Sequence, residues 1–337
     1  MILVGDIGGT NTTLAAVEHG NSFVVRSRER FQTARLSGIT EALASYRERH
    51  EDLWAAAELC CLSGAGPVRD GVCRMTNVHF VINREEVEQY VGKPTFVIND
   101  FSAICYALPL LETHTQINTT VFRHPDGSTR PAHGNVRAVV GAGTGLGTGY
   151  LIEDRGHYVA HPSEGGHAGF TSVDPLTDEF TAYLRRRFSM QPGAEQYVSG
   201  QGIANAFAFF CETARLGRDD TVASILELRD ADRPAAIARA ARSHEGCARI
   251  MRFFVELYAR HASNTALFFL PFGGLYLAGG IAAKNEEWFT RDDLFMRTFE
   301  TNYNERITPL LRETPVILIK DYEVSLYGAA HAALSLV

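Results

Sequence analysis

Long apolar runs, secretion signals and an excess of basic residues are all missing from this chain of 337 residues. The apolar stretch 265–272 is shorter than the ~20 residues that span a membrane, and it contains Pro271. No charged start followed by an apolar core precedes the first strand-like segment, so we expect no secretion. The net charge of −7 argues against a broad basic surface for nucleic acid. We therefore expect a cytoplasmic protein that binds neither a membrane nor a nucleic acid.

Cysteine pairs at a metal-binding spacing are also missing. The six cysteines include no Cys-x-x-Cys pair, so a zinc ribbon has no support. In a chain of this length we expect reduced thiols that lie mostly in the core. Cys60 and Cys61 are adjacent, so within a strand their side chains would point to opposite faces.

The length and composition of the chain are those of a folded protein that is long enough for two domains. The chain is 45% hydrophobic and 21% charged, which is typical of globular proteins. Its densest basic run, 185–187, lies on a predicted helix and is interpreted as a solvated face.

Strand and helix patterns alternate in the first third of the chain. Two hairpin-linked strands followed by alternating units predict a mixed sheet with helices on its faces. The predicted strands cover 2–7, 12–18, 22–31, 57–63 and 95–98, and the predicted helices cover 38–50 and a segment from about 100.

The remaining two thirds begin with a Pro- and Gly-containing loop at 123–135. We predict strands at 136–140, 148–152, 275–278 and 315–319, a mainly helical region over 175–270, and a final helix from about 325. A strand, a glycine turn and a second strand thus occur twice, which suggests two halves that each offer a phosphate-binding turn.

The first of these turns is Gly8-Gly9-Thr10, between two apolar runs. Glycine permits positive φ and lets backbone N–H groups converge on an anion. Asp6 precedes the turn and can hold Mg²⁺ through water, since Mg²⁺ prefers oxygen ligands and keeps much of its hydration. An ordinary hairpin that needs glycine for its geometry is the alternative.

The second turn, 141–147, has four glycines in seven residues and the hydroxyl of Thr144. It matches neither a Walker A loop nor a dinucleotide fingerprint, and a structural hairpin again remains possible. Gly279-Gly280 ends a later strand, where a flat adenine or a ribose can approach the backbone. A tight strand-to-helix turn is the alternative there.

Polar residues stand at three further junctions. Asn99-Asp100 follows a buried strand, where ligands bind in α/β folds, but either residue is also a normal helix cap. Glu164 and His167 bracket two glycines, and such a pair suits hydrogen bonding to a polyol. Glu195 precedes another turn into a helix and is otherwise an ordinary surface acid.

Taken together and in this order, these motifs resemble the bacterial ATP-dependent glucokinase family of the actin-like ATPase superfamily. The first glycine turn is common to the superfamily, whereas Asn-Asp-Phe with Glu-Gly-Gly-His is more specific to glucokinases. The departures are Ser163, Gln201 and Phe80, where glycine, proline and tryptophan are usual. The similarity runs nearly end to end, through residues 5–11, 66–68, 75–77, 98–101, 141–147, 164–167, 199–202 and 278–281.

The resemblance implies an α/β, two-domain actin-like ATPase (ribonuclease H-like) sugar kinase fold. Central mixed sheets and an interdomain cleft belong to that fold. The small domain would comprise 1–108 with 324–337, and the large domain 109–323. A homodimer is expected by analogy with the family.

The resemblance also implies a role for each site residue. Asp100 would be the general base that takes the proton from the sugar 6-hydroxyl, and Asp6 would lie near Mg²⁺. The residues implied for the hexose are Asn77, Asn99, Asp100, Glu164, His167 and Glu195. Those implied for ATP are Gly5, Asp6, Ile7, Gly8, Gly9, Thr10, Asn11, Gly143, Thr144, Gly145, Gly279 and Gly280.

The expected activity is therefore ATP-dependent phosphorylation of glucose to glucose 6-phosphate. Three alternatives remain open from the sequence. The first is a kinase for another hexose, such as mannose, fructose or an amino sugar. The second is a sugar- or ATP-sensing protein without catalysis. The third is an actin- or Hsp70-like ATPase, although the chain has no room for a peptide-binding domain.

Overall fold

The computed structural model describes residues 1–20, 22–75, 78–112, 117–321 and 323–337. Two compact units make up the chain. Unit 1 comprises Met1–Asn118, Gly149–Pro162 and Asp321–Val337, and unit 2 comprises Thr119–Thr148 and Ser163–Lys320. The domain boundaries expected from the sequence kept 109–118 and 149–162 in the large domain, and that division remains a proposal.

The strands of the described residues are numbered in chain order. They are β1 (Ile2–Ile7), β2 (Asn11–Glu18), β3 (Val24–Gln32), β4 (Leu59–Gly64), β5 (Val68–Arg69), β6 (Val72–Arg74), β7 (Val81–Asn83), β8 (Thr95–Asn99), β9 (Thr119–Val121), β10 (Val136–Ala142), β11 (Leu146–Asp154), β12 (His157–Ser163), β13 (Leu275–Ala278) and β14 (Val316–Ile319).

The α-helices follow the same order. They are α1 (Ile39–Arg49), α2 (Glu51–Ala56), α3 (Arg84–Val91), α4 (Asp100–Ala107), α5 (Pro175–Phe188), α6 (Gly200–Glu212), α7 (Asp220–Leu226), α8 (Arg233–Ala240), α9 (Glu245–Phe269), α10 (Gly280–Lys284), α11 (Glu286–Thr290), α12 (Leu294–Glu300), α13 (Thr308–Glu313) and α14 (Val324–Ser335).

Unit 1 is built on a five-stranded sheet of order β3-β2-β1-β4-β8. The hairpin strands β1, β2 and β3 are antiparallel, whereas β1, β4 and β8 are parallel, so the predicted mixed sheet is confirmed. Ligands in such folds gather where parallel strands end. In this sheet those ends are occupied by the first glycine turn after β1 and by Asn99-Asp100 after β8.

One face of this sheet is covered by α14, which packs against β1, β4 and the helix α4. The two helices approach closely because α14 has a glycine at the contact. A Cβ on Gly328 would overlap the carbonyl oxygen of Ala103. The predicted packing residues Leu326, Ala329, Ala330 and Ala333 are buried. Leu334 was wrongly predicted as part of that face, since it is 39% exposed beyond the last packed turn.

The opposite face of the sheet carries the apolar cluster that includes α1, α2 and α3. Leu3 and Ile7 of β1 contribute to it, as does Cys60 of β4. Cys61 is also fully buried, and its side chain points to the other face of the strand. All six cysteines are free thiols and five are buried, which agrees with the prediction.

The second sheet has six strands in the order β12-β11-β10-β13-β14-β9. In unit 2, β10, β13 and β14 are parallel neighbours, and β9 runs antiparallel to β14. The helix α9 packs on β10, and α6 packs on α9. The predicted apolar face of α9 is buried, at Ile250, Phe253, Phe254, Leu257 and Ala262.

Several parts of the fold were not predicted, among them the helices α2, α3 and α10 to α13. A three-stranded sheet of order β5-β6-β7 was missed because its strands are only two or three residues long, too short for a period-2 pattern. The strands β9, of three residues, and β12, of seven, were missed as well. The loop at 123–135 is confirmed, and Arg185, Arg186 and Arg187 lie exposed on α5 as expected. Across the described residues, none of the helices has the length and apolar character for crossing a bilayer.

Candidate active site

The first glycine turn connects β1 to β2 in unit 1. The N–H of Gly8 donates to the Asn11 carbonyl at 2.9 Å and closes the turn. Thr33, which follows β3, supports it from the side, because its Oγ1 donates to the Gly8 carbonyl at 2.8 Å. Gly9, Thr10 and Asn11 are exposed. The turn is therefore fixed at its base and open at its tip, as a phosphate-binding turn must be.

Gly5, the glycine that precedes this turn, serves close packing within β1. Gly8 does not have a positive φ. Gly5 lies inside β1, where a Cβ would come within 2.6 Å of Leu62 Cδ2. Ile7 is fully buried. Gly5 and Ile7 therefore determine how the strand packs, and their predicted contact with ATP stays a prediction.

Asp6 is half-buried near the end of β1 and meets the C-terminal helix. The hydroxyl of Ser325 donates to Asp6 Oδ2 at 2.7 Å. Burial raises the pKa of Asp6, and the Ser325 hydrogen bond and the charge of Arg30 oppose this effect without cancelling it. A carboxylate in this environment is stabilised by a nearby cation.

Asn99 is the N-cap of α4, and this resolves the ambiguity of the Asn99-Asp100 pair. Its Oδ1 accepts from the N–H groups of Phe101 at 2.9 Å and Ser102 at 3.2 Å. Asp100, the first residue of α4, is half-buried, and the Phe101 N–H also reaches its Oδ1 at 2.9 Å. Capping therefore accounts for Asn99, and Asp100 places a half-buried carboxylate beside it in the first turn of α4.

The orientation of Asn99 is also fixed from a second element. Its Nδ2 donates to the Gly66 carbonyl at 3.1 Å. Gly66 is itself held against β6, because a Cβ at this position would overlap the carbonyl oxygen of Arg74. Three of the four hydrogen bonds that an asparagine side chain can make are used in this way, which leaves one N–H for a ligand.

The second glycine turn, in unit 2, connects β10 to β11 and is held by three hydrogen bonds. The Gly143 N–H donates to the Gly145 carbonyl at 2.8 Å, and the Gly200 N–H donates to the Gly143 carbonyl at 2.8 Å. The Leu146 N–H donates to Glu195 Oε2 at 2.9 Å. These bonds do not engage the N–H groups of Thr144 and Gly145 or the exposed Thr144 hydroxyl, which are thus the turn's candidate phosphate donors.

Two other motifs border this turn. The first turn of α6 lies against it through Gly200, so the positive end of the helix dipole faces the same region. Gly279, with φ of 90°, follows β13, and a Cβ on it would overlap the carbonyl oxygen of Ala142. Because β13 pairs with β10, Gly279 and Gly280 lie beside the second glycine turn.

Glu164 and His167 stand at the two ends of a 3₁₀ turn, with Glu164 Oε2 and His167 Nε2 3.7 Å apart. Both side chains are largely exposed, at 70% and 68%. The turn packs on β11, since a Cβ on Gly166 would overlap the Leu146 carbonyl oxygen. The backbone then joins it to the segment that carries Glu195, through a hydrogen bond from the Ala194 N–H to the Ala168 carbonyl at 2.8 Å.

Unit 2 therefore brings together the second glycine turn, the Gly279-Gly280 pair, Glu164, His167 and Glu195. Glu195 is not an ordinary surface acid, because it is half-buried and bonded to the turn. Asn77 lies outside the described residues. Sequence reasoning missed Thr33 and Ser325, which contact the site through pairings that no local pattern reveals.

A family model for glucokinase matches residues 3–336. The chain belongs to the glucokinase family. It is 31% identical over 352 residues to a glucokinase of Nostoc sp., and the match covers 100% of this chain and 99% of that protein. The glucokinase family consists of enzymes that phosphorylate glucose with ATP, so the chain is a sugar kinase.

Solved structures support the glucokinase fold. A glucokinase from an Antarctic psychrotroph is similar with a TM-score of 0.81 and 25% identity, covering 99% of this chain and 98% of that one. A glucokinase from Balamuthia mandrillaris, solved in complex with glucose, has a TM-score of 0.77 and 22% identity, covering 99% and 93%. The two-domain actin-like kinase fold expected from the sequence is confirmed.

Proposed function

We propose that the chain transfers the γ-phosphoryl group of ATP to the 6-hydroxyl of glucose, with Asp100 as the general base. The observation that carries this proposal is the position of Asp100, which places a half-buried carboxylate in the first turn of α4, directly after the strand end at Asn99. The sugar O6 forms a bond to the γ-phosphorus while the bond from that phosphorus to the bridging oxygen breaks. The hydroxyl proton passes to the Asp100 carboxylate, and ADP leaves. A base within hydrogen-bond reach accelerates such a step by ~10²–10⁴-fold.

The nucleotide phosphates are proposed to bind the two glycine turns. Phosphoryl transfer depends on positioning and on neutralising charge, and it needs little covalent help from the protein. The N–H groups of Thr144 and Gly145, with the Thr144 hydroxyl, supply donors that keep their positions because the turn is bonded at both ends. The exposed tip of the first turn, at Gly9 and Thr10, supplies a second set. Fixed donors of this kind stabilise charge on the transferring group.

The hexose hydroxyls are proposed to be held by Asn99, Glu164, His167 and Glu195. Carboxylates accept from hydroxyls, whereas imidazole and amide groups can also donate, so this set can discriminate hydroxyl orientations. Each buried polar group left unpaired by a wrong sugar costs ~1–3 kcal/mol, which provides the basis for selectivity. Asn77 is proposed as a further contact from the family resemblance alone.

Asp6 is proposed to hold Mg²⁺ through water. One carboxylate suits this ion, which keeps several waters and takes its remaining ligands from the nucleotide phosphates. The described residues contain no group of three or more His, Cys, Asp or Glu side chains that could hold a metal. The ion would therefore depend on water and phosphate for most of its ligands. When bound, it neutralises charge on the phosphates.

A sugar panel in a coupled assay of ADP release tests the proposed function. We expect glucose to give the highest kcat/KM among glucose, mannose, fructose and amino sugars. Asp100→Asn should reduce kcat by at least ~10²-fold and change glucose affinity by less than about tenfold. Absence of ADP release above the sugar-free background with glucose would overturn the proposal, and near-normal turnover of the variant would remove Asp100 from its role.

Two further proposals concern the cellular compartment and the oligomeric state of the protein. The cytoplasm is proposed because all six cysteines are free thiols, as expected in a reducing compartment. A homodimer is proposed from the family resemblance, and sedimentation velocity of the purified protein tests it.

A further inference from the structure

The side chain of Glu195 contacts the second glycine turn. Its Oε2 accepts from the Leu146 N–H at 2.9 Å, and a Cβ on Gly145 would overlap the same oxygen. The absence of a side chain at position 145 is therefore what allows the carboxylate to reach Leu146. A motif assigned to the sugar and a motif assigned to the nucleotide are in direct contact within unit 2.

The backbone of Glu195 is anchored independently of the turn. The Ser199 hydroxyl donates to its carbonyl at 2.7 Å, and the preceding residue is tied to Ala168. Only the side chain depends on the turn for its direction. The hydrogen bond engages one carboxylate oxygen, so Oε1 can accept from a hydroxyl while Oε2 stays on Leu146.

The other glycine of the turn provides a built-in comparison. A Cβ on Gly143 would have no atom within 4 Å, and Gly143, like Gly145, does not have a positive φ. Alanine can therefore be accommodated at position 143, whereas at position 145 it must displace the carboxylate. The two glycines belong to the same turn and differ in their relation to Glu195.

We propose that Gly145 is a positioning residue for the hexose, because it lets the nucleotide-binding turn hold Glu195 in the orientation that accepts a sugar hydroxyl. The inference rests on the proposed function, since it takes Glu195 as a hexose ligand. It adds that the turn orients a sugar-binding carboxylate in addition to binding phosphate. Glucose affinity should therefore depend on the turn even when no nucleotide is bound.

The test is the affinity for glucose without nucleotide, measured by isothermal titration calorimetry. Gly145→Ala should weaken glucose binding about tenfold or more, as expected when a hydrogen bond to a charged group is lost. Gly143→Ala is the matched control and should bind glucose within about twofold of the wild type. Equal glucose affinities in the two variants would overturn the inference.

A reciprocal measurement keeps the test decisive if Gly145→Ala folds poorly. Glu195→Asp keeps the charge but shortens the reach to Leu146, so it should weaken binding of a non-hydrolysable ATP analogue, without sugar, about fivefold. Glu164→Asp is the control, because Glu164 pairs with His167 and not with the turn. Unchanged affinity for the analogue in Glu195→Asp would contradict the link between Glu195 and the turn.

The double variant Gly145→Ala/Glu195→Asp separates positioning from general damage. The shorter carboxylate withdraws from the added methyl group, so the loss of glucose affinity should be smaller than the product of the two single losses. Independent losses would overturn the inference. A wild type that neither binds nor phosphorylates glucose would instead refute the proposed function, so the two failures are distinguishable.

Discussion

Ser325, in the first turn of the C-terminal helix α14, donates its hydroxyl hydrogen bond to the carboxylate of Asp6 on the first strand. The contact joins residues 319 positions apart in the sequence. It stabilises the ionised form of a carboxylate whose pKa burial raises. Ionising Asp6 in the folded protein therefore has an energetic cost, which is common where a charge serves function rather than stability.

The first prediction concerns the energetic cost of ionising Asp6 in the folded protein. Because the pKa of Asp6 is raised on folding, the folded protein holds the proton more tightly than the unfolded chain, and ionisation at higher pH lowers stability. Asp6→Asn should therefore have a higher Tm than the wild type at pH 8, with a difference that shrinks as the pH falls. Its ATP-dependent turnover should drop. Thermal unfolding at several pH values, with a coupled kinase assay, measures both effects.

Ser325→Ala serves as the comparison for Asp6. It keeps the carboxylate but removes its donor, so it should lower the Tm at pH 8 relative to the wild type. If Asp6→Asn were destabilised at pH 8 as much as Ser325→Ala, burial of the charge would not be the dominant effect.

The sequence predicted the elements that are encoded locally. The strands on either side of both glycine turns and the long helix α9 carry clear apolar patterns, and the structure contains all of them. The sequence also predicted that either Asn99 or Asp100 could cap the helix α4. What the sequence left open was which of the two neighbours caps the helix, because that depends on the side-chain direction.

The contacts that the sequence missed join segments far apart in the chain. Thr33 supports Gly8 across 25 positions, and Glu195 meets Leu146 across 49. Such contacts are set by how the elements pack, and a local pattern of apolar and polar residues contains no information about them. The requirement for glycine at position 145 likewise follows from a neighbour that is remote in sequence.

A second prediction separates the two roles of Asn99. Asn99→Ala loses the cap of α4 and should destabilise the protein by about 1 kcal/mol. Asn99→Asp keeps an acceptor for the N–H groups of Phe101 and Ser102 but cannot donate to Gly66. Its Tm should therefore stay closer to the wild type, while both variants raise the KM for glucose. Calorimetric unfolding and steady-state kinetics test this split, and equal destabilisation of the two variants would argue against the cap.

A third prediction concerns His261 on α9, which is 8% exposed. Burial lowers the pKa of His261 to about 4, and its Nε2 has no hydrogen-bond partner among the described residues. The unfolded chain therefore binds the proton more readily, so the wild type should lose stability as the pH falls from about 6.5 towards 4. His261→Leu removes the titrating group and should flatten this part of the profile. Tm values between pH 7.5 and 4.5 test the prediction, which is wrong if both proteins lose stability in parallel.

A fourth prediction concerns the contact between α14 and α4. A methyl group on Gly328 would overlap the carbonyl oxygen of Ala103, and helix backbone cannot move away as a flexible side chain can. Gly328→Ala should therefore destabilise the protein by about 1–3 kcal/mol, the usual range for overpacking a core. The matched control is Gly20→Ala, because a Cβ there would meet no atom within 4 Å. Since α14 also carries Ser325, the variant should raise the KM for ATP, while the control should leave both the Tm and the KM unchanged. A wild-type Tm in Gly328→Ala would show that the two helices can separate at no energetic cost.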